Sequence, residues 1–259
     1  MCELLGMSAN VPTDIRFSFS GLVKRGGETG SHEDGWGIAF YEGKGYRSFH
    51  DPKASVDSEV AKFIQQYSIK SKQVICHIRK ANKGRVCLEN THPFSRELWG
   101  QIWSFAHNGQ LKGIKNKLLS GYLPIGTTDS EYAFCWVLSQ LRETFPQKPK
   151  SKVKVRKLIE RLCREVAEHG IFNVLMSDAD NLYTYCNTKL SWLTRQAPFA
   201  EAQLLDTDVC VDFKEETSST DVVTVIATEP LTSNEQWTKM VKGEFSVFSS
   251  GKKMYTGIR

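Results

Sequence analysis

The amino-acid sequence predicts an α+β fold in which antiparallel sheet packs against helices. Segments with β-type patterning occur toward both ends of the chain, and a pair of helical segments lies between them. This order favours antiparallel sheet over a doubly wound parallel sheet, in which strands and helices alternate regularly. The chain has 259 residues, 40% hydrophobic and 24% charged, which is enough for a sizeable core. Because no repeat or linker is evident, we predict a single domain over residues 2–259.

The first half of the chain predicts strands joined by a hairpin and followed by a helix. Residues 2–8 are short and mostly apolar, which is typical of a buried strand. Residues 36–41 and 46–49 flank a Glu-Gly-Lys-Gly turn and predict the hairpin. Apolar residues recur at helical spacing within 58–67, before a β-type segment at 73–78. The Gly-rich polar stretch 17–35 predicts a loop that lies over a site.

The second half predicts two consecutive helices and then a series of strands. The clearest helix spans 129–145, and a second one extends to about residue 169. The predicted strands that follow are 172–176, 182–186, 204–213, 222–228 and 245–248. The two consecutive helices are predicted to form one layer. In the sequence they lie between the early strands and the late strands.

Charge and cysteine usage exclude several classes of protein. Much of the net charge of +5 comes from residues 147–164, where no aromatic residues are interleaved, so we predict a solvated helix face and no nucleic-acid site. The absence of a long apolar run or a secretory signal predicts no membrane association and a cytoplasmic location. Seven scattered cysteines without a Cys-x-x-Cys pair predict reduced thiols, with neither disulfides nor a zinc site.

Cys2 is the most informative residue of the chain. Removal of Met1 would place a thiol and a free α-amine on the same residue. The α-amine has a pKa of about 8, so near neutrality a useful fraction can accept the thiol proton. The small Cys side chain is compatible with Met1 excision. Cysteine at position two is by itself also compatible with no catalytic role.

Short polar motifs lie between the predicted elements. They are His32-Glu33-Asp34-Gly35-Trp36-Gly37, His77-Ile78-Arg79, Asn90-Thr91-His92-Pro93-Phe94, His107-Asn108-Gly109 and Thr127-Thr128-Asp129-Ser130-Glu131.

Each motif has an ordinary structural interpretation when taken alone. A strand that ends at residues 77–79 would bury His77 and expose Arg79. Asn108-Gly109 is typical of a tight turn. Thr128 or Asp129 is typical of a helix N-cap, with Glu131 near the capping-box position.

In their order and spacing these motifs, together with Cys2, resemble the class II glutamine amidotransferases, which are N-terminal-nucleophile hydrolases. The GWGIAFY segment, the Asn-Thr-His-Pro-Phe form of the third motif and the length resemble the stand-alone YafJ branch. The resemblance implies a four-layer αββα sandwich, with two stacked antiparallel sheets between helical layers. The second half of the chain contributes no diagnostic motif.

The resemblance also implies roles for individual residues. Cys2 attacks the side-chain amide of glutamine and forms a γ-glutamyl thioester. The Asn108 carboxamide and the Gly109 N–H form the oxyanion hole, and both are suitable donors. Arg79 binds the substrate carboxylate and Asp129 binds the substrate ammonium, with charges that suit a free amino acid.

The segment after Arg79 departs from the pattern of synthase-linked members of the family. Those members have Trp-x-Thr-His-Gly where this chain has Lys80-Ala81-Asn82-Lys83-Gly84. We expect Asn82 to donate a hydrogen bond to the substrate, and Lys83 offers a charge for a carboxylate. Because neither residue specifies glutamine, a γ-glutamyl amide or a peptide is an alternative substrate. We expect His32, Trp36 and His92 to be site-wall or loop residues.

The sequence also indicates which cofactors and partners the protein uses. No nucleotide, flavin or metal-ligand pattern is present, so we expect no cofactor. The ammonia is either accepted by a separate subunit or released by simple hydrolysis. A non-catalytic binding or regulatory subunit is the remaining alternative.

Overall fold

The computed structural model describes residues 2–81, 84–214 and 217–258. Within them the α-helices are α1 (Arg16–Lys24), α2 (Glu59–Gln66), α3 (Asp129–Thr144) and α4 (Lys152–Ala167). The β-strands are β1 (Glu3–Asp14), β2 (Trp36–Glu42), β3 (Gly45–Asp51), β4 (Lys70–Ile78), β5 (Phe94–Leu98), β6 (Gln101–Leu111), β7 (Gly170–Ser177), β8 (Leu182–Cys186), β9 (Ser191–Gln196), β10 (Glu201–Gln203), β11 (Cys210–Asp212), β12 (Val222–Ala227), β13 (Thr238–Lys239), β14 (Glu244–Ser249) and β15 (Lys252–Gly257).

Two large antiparallel sheets carry the fold. The first has seven strands in the order β13-β9-β12-β1-β4-β2-β3, and the second has six in the order β15-β14-β8-β7-β6-β5. Strand β1 lies in the middle of the first sheet, where Glu3 pairs with Ile78 and Leu4 with His77 of β4. The residues just before β1 and just after β4 are therefore neighbours.

The sheets stack face to face, and helices cover both outer surfaces. Helices α1 and α2 pack on the first sheet, and α3 and α4 pack on the second. Between the sheets Leu4 and Ile75 belong to the same apolar cluster as Ala106 and Leu175. Successive side chains of a strand point to opposite faces, so β1 is buried on both sides. The predicted four-layer αββα sandwich is confirmed.

Gly6 of β1 permits the close approach of the two sheets. A Cβ at this position would lie 3.0 Å from the side chain of Leu182 and 3.1 Å from that of Leu175. Both leucines belong to the opposite sheet, so a larger residue at position 6 would push the layers apart. This close packing sets the spacing of the layers near the start of the chain.

The predicted hairpin and the helices that correspond to α2, α3 and α4 are confirmed. The predicted loop over 17–35 is wrong in its first part, because Arg16–Lys24 forms α1. Phe19, Leu22 and Val23 recur at helical spacing and are buried against the sheet, so tertiary packing stabilises a helix of nine residues. The sequence does not predict strands β5, β6, β9, β10, β13 and β15, and within the predicted strand 204–213 only Cys210–Asp212 forms one.

Glu131 holds the loop that precedes α3. Thr128 caps the helix as predicted, and its Oγ1 accepts a hydrogen bond from the Glu131 N–H at 3.1 Å. The Glu131 carboxylate instead accepts from the N–H groups of Ile125 at 3.0 Å and Gly126 at 2.7 Å. It also pairs with Arg96 at 2.6 Å. These bonds fix the backbone that leads into Asp129.

Helix α4 carries the basic segment noted in the sequence. Most of its apolar residues face the core, whereas Val153 and the basic residues Lys152, Lys154, Lys157 and Arg161 are exposed to solvent. Among the described residues, no helix combines the length and apolar character needed to cross a bilayer.

Tyr41 links the two sheets through its hydroxyl group. This hydroxyl lies 2.8 Å from Ser104 Oγ and 3.1 Å from the Ile102 carbonyl oxygen, both on the opposite sheet. We expect Tyr41→Phe to lower the free energy of unfolding by about 1–2 kcal/mol, because buried polar partners lose their hydrogen bond. Urea denaturation measures the change.

Tyr67→Phe is the matched control for this loss of a hydroxyl, because Tyr67 is 48% exposed. It should change the free energy of unfolding by less than about 0.5 kcal/mol. Equal effects of the two substitutions would contradict the proposed link between the sheets.

Candidate active site

A cavity of about 350 Å³ lies at one end of the stacked sheets. The start of the chain, the segment after β4, the last residues of β6 and the first residues of α3 form its walls. Cys2, Arg79, Asn108, Gly109 and Asp129 all line it. These residues are far apart in sequence, and the strand order brings them together.

Cys2 and Asn108 form a reciprocal pair of hydrogen bonds across the two sheets. The Cys2 N–H donates to Asn108 Oδ1 at 2.9 Å, and Asn108 Nδ2 donates to the Cys2 carbonyl oxygen at 2.6 Å. Asn108 is completely buried. Its carboxamide therefore has a single orientation, and it holds the Cys2 backbone at the cavity wall.

The Cys2 sulfur contacts the backbone of Lys80. The Lys80 N–H donates to Sγ at 3.3 Å, and Sγ lies 3.6 Å from the Lys80 carbonyl oxygen, which accepts from the thiol. Burial raises the pKa of the Cys2 thiol, whereas the Lys80 N–H and the nearby Arg79 charge act to lower it. Because the net pKa is raised, the thiol is protonated near neutrality and needs a base to react.

Asn108 and Gly109 lie inside strand β6, so the tight turn expected for this dipeptide is not formed. Asn108 pairs with Asn173 and Gly109 with Phe172 of β7. A Cβ at position 109 would lie 1.9 Å from the Ile171 carbonyl oxygen, which explains why glycine occupies the position. Asn173 Nδ2 donates to the Asn108 carbonyl oxygen at 3.1 Å and fixes the strand there.

Arg79 is buried, contrary to the surface position expected for the end of this strand. Only 4% of the residue is exposed. Within the described part of the chain, its guanidinium donates to the Arg85 carbonyl oxygen at 3.2 Å and forms no ion pair with a carboxylate. A buried cation without a counter-ion is costly, so this position suits an anionic ligand.

Asp129 is the first residue of α3 and faces the same cavity. Its Oδ2 accepts from the Leu111 N–H at 2.7 Å, and its Oδ1 accepts from the Ser130 N–H at 2.9 Å. No Lys or Arg of the described residues pairs with it. Oδ1 also lies 3.4 Å from Ser130 Oγ, whereas Oδ2 retains a free lone pair, so Asp129 can still accept a hydrogen bond from a bound ammonium group.

Asn90 joins two segments of the cavity rim. Its Nδ2 donates to the Arg85 carbonyl oxygen at 3.0 Å, and its Oδ1 accepts from the Thr127 N–H at 2.8 Å. The segment after Arg79 is thereby tied to the residues that precede Asp129. Two predictions for this segment, the substrate contact of Asn82 and the charge of Lys83, lie outside the described residues.

Two of three buried histidines, His92 and His107, line the cavity, and His77 packs against His92. His107 lies within hydrogen-bond distance of Ser130 Oγ and of the Ile171 carbonyl oxygen, both at 2.9 Å. The His77 and His92 rings pack together with centroids 4.2 Å apart. Burial lowers the pKa of all three histidines, that of His77 to about 3. They are therefore neutral near pH 7.

Of the residues expected in the site wall or in loops, His32, Trp36 and His92 lie in three different environments. His92 lines the cavity, and His32 lies in the loop before β2 with Nδ1 3.1 Å from the Arg25 carbonyl oxygen. The site-wall expectation is wrong for Trp36, which is fully buried under α1 with its ring centroid 5.6 Å from that of Phe19.

Sequence reasoning missed some residues that shape the site. Lys80 acts through its backbone and Asn173 through a bond to the Asn108 carbonyl, so neither carries a motif that signals its role.

Among the described residues, no group of three or more His, Cys, Asp or Glu side chains is arranged to hold a metal ion.

The buried neutral histidines should make stability sensitive to acid. In the unfolded chain each histidine has a pKa of about 6.5, so the unfolded state binds more protons as the pH falls below this value. The contribution of the neutral histidines to the free energy of unfolding is fully present above about pH 6.5. It is lost as the pH falls toward their pKa in the folded protein. In this range each histidine should lower the free energy of unfolding by about 1.4 kcal/mol for every pH unit by which the pH falls. Urea denaturation between pH 7 and 5 measures the slope.

His92→Gln removes one of these titrating groups and should flatten the dependence of stability on pH, whatever it does to stability at pH 7. An unchanged slope would contradict the view that His92 is neutral in the folded protein.

Comparison with known proteins shows the family to which this chain belongs. The family model of the class II glutamine amidotransferases matches residues 1–259. A relative from Escherichia coli (strain K12), named "Putative glutamine amidotransferase YafJ", is 56% identical over 254 residues, which cover 98% of this chain and 100% of the relative.

Solved structures extend the comparison to the fold. The crystal structure of a predicted glutamine amidotransferase from Pseudomonas aeruginosa PA01 is 52% identical, with a TM-score of 0.79, over 98% of this chain and 100% of that one. The glutamine phosphoribosylpyrophosphate amidotransferase from B. subtilis is 14% identical and shares the fold alone, with a TM-score of 0.61 over 99% of this chain and 49% of that one. This chain therefore belongs to the class II glutamine amidotransferase family, and it is similar to YafJ along nearly its whole length.

Proposed function

We propose that this protein hydrolyses the side-chain amide of glutamine, with Cys2 as the nucleophile once Met1 has been removed. The observation that carries the proposal is that the Cys2 thiol shares one cavity with a buried cation and an acidic side chain. Arg79 and Asp129 form no ion pair with a described residue. Free glutamine carries a carboxylate and an ammonium group, and these complement Arg79 and Asp129.

The first step forms a thioester. The α-amine of Cys2 takes the thiol proton, and the sulfur attacks the carboxamide carbon of the substrate. The C–N bond then breaks, and the proton passes from the amine to the departing ammonia. The bond from the Cys2 nitrogen to Asn108 Oδ1, 2.9 Å long, holds the amine in place for both transfers.

The oxyanion that develops in this step requires hydrogen-bond donors. Asn108 Nδ2 carries two N–H bonds, one of which is used on the Cys2 carbonyl oxygen, so the other is available. The Gly109 N–H is the second donor. Both belong to strand β6, whose pairing with β7 keeps them rigid. Water then opens the thioester, with the amine as base, and glutamate is released.

Met1 determines whether this chemistry is possible. While Met1 is attached, the Cys2 nitrogen is an amide, which has no basic lone pair. Met1 lies outside the described residues, so its removal is part of the proposal. Intact-mass measurement of the protein tests it directly.

We expect Cys2→Ala to abolish release of glutamate and ammonia from glutamine, since no other group replaces the sulfur. Asn108→Asp preserves the shape of the side chain but removes the N–H donor, and should lower kcat by about 10²–10³-fold. A coupled glutamate dehydrogenase assay measures both. A glutamine-like electrophile should label the Cys2 peptide in the wild-type protein.

Cys87→Ala is the matched control, because Cys87 is a partly exposed free thiol that does not line the cavity. It should retain wild-type activity. Full activity of Cys2→Ala, or protein that retains Met1 and is inactive on every amide tested, would sink the catalytic proposal in favour of a binding subunit.

A second candidate substrate is a γ-glutamyl amide or peptide. Lys80 and Lys115 also line the cavity, and their ammonium groups bond neutral protein oxygens, Ser31 Oγ at 2.5 Å and the Thr127 carbonyl oxygen at 2.8 Å. These two charges favour a leaving group that carries a carboxylate. A panel of γ-glutamyl dipeptides measured beside glutamine separates the two candidates by kcat/KM.

We expect Arg79→Lys to raise KM for glutamine by about 10–100-fold with little change in kcat, because the charge-assisted bonds to the carboxylate form in both ground and transition states. Steady-state kinetics measure the change. Glutamine α-amide lacks the carboxylate, so the same substitution should affect its hydrolysis much less. An equal effect on both substrates would contradict the role assigned to Arg79.

A further inference from the structure

The loop before β2 contacts the segment that carries Lys80 on the side opposite to Cys2. The Asp34 N–H donates to the Arg79 carbonyl oxygen at 3.1 Å. The Asp34 side chain accepts at Oδ2 from the Ala81 N–H at 2.7 Å. Asp34 therefore binds the backbone on both sides of Lys80.

The same two peptide groups contact the Cys2 sulfur. The peptide between Arg79 and Lys80 directs its C=O to Asp34 and its N–H to Sγ. The peptide between Lys80 and Ala81 directs its N–H to Asp34 and its C=O to Sγ. In a planar trans peptide the C=O and the N–H point in opposite directions, so fixing one end fixes the other.

We propose that Asp34 is a positioning residue that holds the two peptide groups of Lys80 against the Cys2 sulfur. The inference rests on the proposed role of Cys2 as nucleophile. The backbone of Asp34 fixes the N–H that reaches Sγ, and its carboxylate fixes the Lys80 carbonyl, which accepts a hydrogen bond from the thiol. Together they restrict Sγ to one position at the cavity wall.

The Asp34 side chain can be removed without removing its backbone contact. In Asp34→Ala the Ala81 N–H loses its acceptor, so the Lys80 carbonyl is free to turn away from the sulfur. The N–H donor to Sγ remains, because the bond from the backbone of residue 34 to the Arg79 carbonyl is unchanged. The thiol then loses an acceptor that stabilises its protonated form, and the sulfur loses its fixed orientation.

The test combines thiol titration with kinetics. Cys2 alkylation by iodoacetamide is followed against pH by mass spectrometry of the N-terminal peptide. In Asp34→Ala the thiol pKa should fall by up to about one unit. At the same time kcat for glutamine should fall by about tenfold or more with KM changed less than about threefold, because orientation is lost and substrate contacts remain. Looser packing around the thiol would also lower its pKa, because burial is the main cause that raises it, so the result supports the proposal only if the urea midpoint of Asp34→Ala equals that of the wild-type protein.

Two further variants act as controls. Asp34→Asn keeps an oxygen acceptor for the Ala81 N–H and should restore both the alkylation profile and kcat. Ser31→Ala removes the other contact of this loop with Lys80, the bond from Lys80 Nζ to Ser31 Oγ, and should leave the thiol pKa unchanged. The charged groups near the thiol, which are the N-terminal amine, Arg79 and Glu3, are the same in all variants. Asp34→Ala and Asp34→Asn both remove the Asp34 charge, so a difference between them reports on the hydrogen bond to the Ala81 N–H.

Two outcomes would overturn the proposal. One is a folded Asp34→Ala protein with the wild-type alkylation profile. The other, which needs no variant, is an Ala81 amide in the wild-type protein that exchanges with solvent as fast as an unstructured amide. Alkylation and exchange require no amide substrate, so they report on Asp34 even if glutamine proves not to be hydrolysed.

Discussion

The two hydrogen bonds between the Cys2 backbone and the Asn108 carboxamide are the contact on which the site depends. They join the residue before β1 in one sheet to β6 in the other, where the sheets end at the cavity. Each sheet fixes its own partner: pairing with β4 positions the start of β1, and pairing with β7 positions Asn108. The tight stacking at Gly6 sets the separation across which the two residues meet.

The charge that the cavity presents to a ligand depends on which ionisable groups are neutral or paired within the protein. Burial keeps the surrounding histidines neutral, so they add no positive charge near Arg79. Glu131, although also buried, is neutralised by Arg96 and by backbone N–H groups, and serves to hold the loop before α3. Arg79 and Asp129 face the cavity with opposite charges, beside Lys80 and Lys115, whose ammonium groups bond neutral oxygens. This arrangement complements a zwitterion better than an apolar ligand or a simple anion.

The backbone contributes as much to this site as the side chains. The Lys80 peptide groups contact the sulfur, the Leu111 N–H orients Asp129, and the Ile171 carbonyl leaves room only for glycine at position 109. Such contacts depend on strand register and loop path, and they place no requirement on residue type that a motif would reveal. Asp34 combines both kinds of contact, because its side-chain carboxylate accepts a hydrogen bond from a backbone N–H, that of Ala81.

The sequence by itself determined the α+β class, the hairpin and the helices α2 to α4, because periodicity is a local property. The residues grouped around Cys2 were indicated by the resemblance of the motifs to a known family. Tertiary structure decided the rest. Helix α1 forms because its apolar face is buried, and Asn108-Gly109 continues a strand because β7 pairs with it. Arg79 is buried because the rim segment tied down by Asn90 covers it. Each of these outcomes depends on partners distant in sequence, whose burial and pairing energies outweigh local preference.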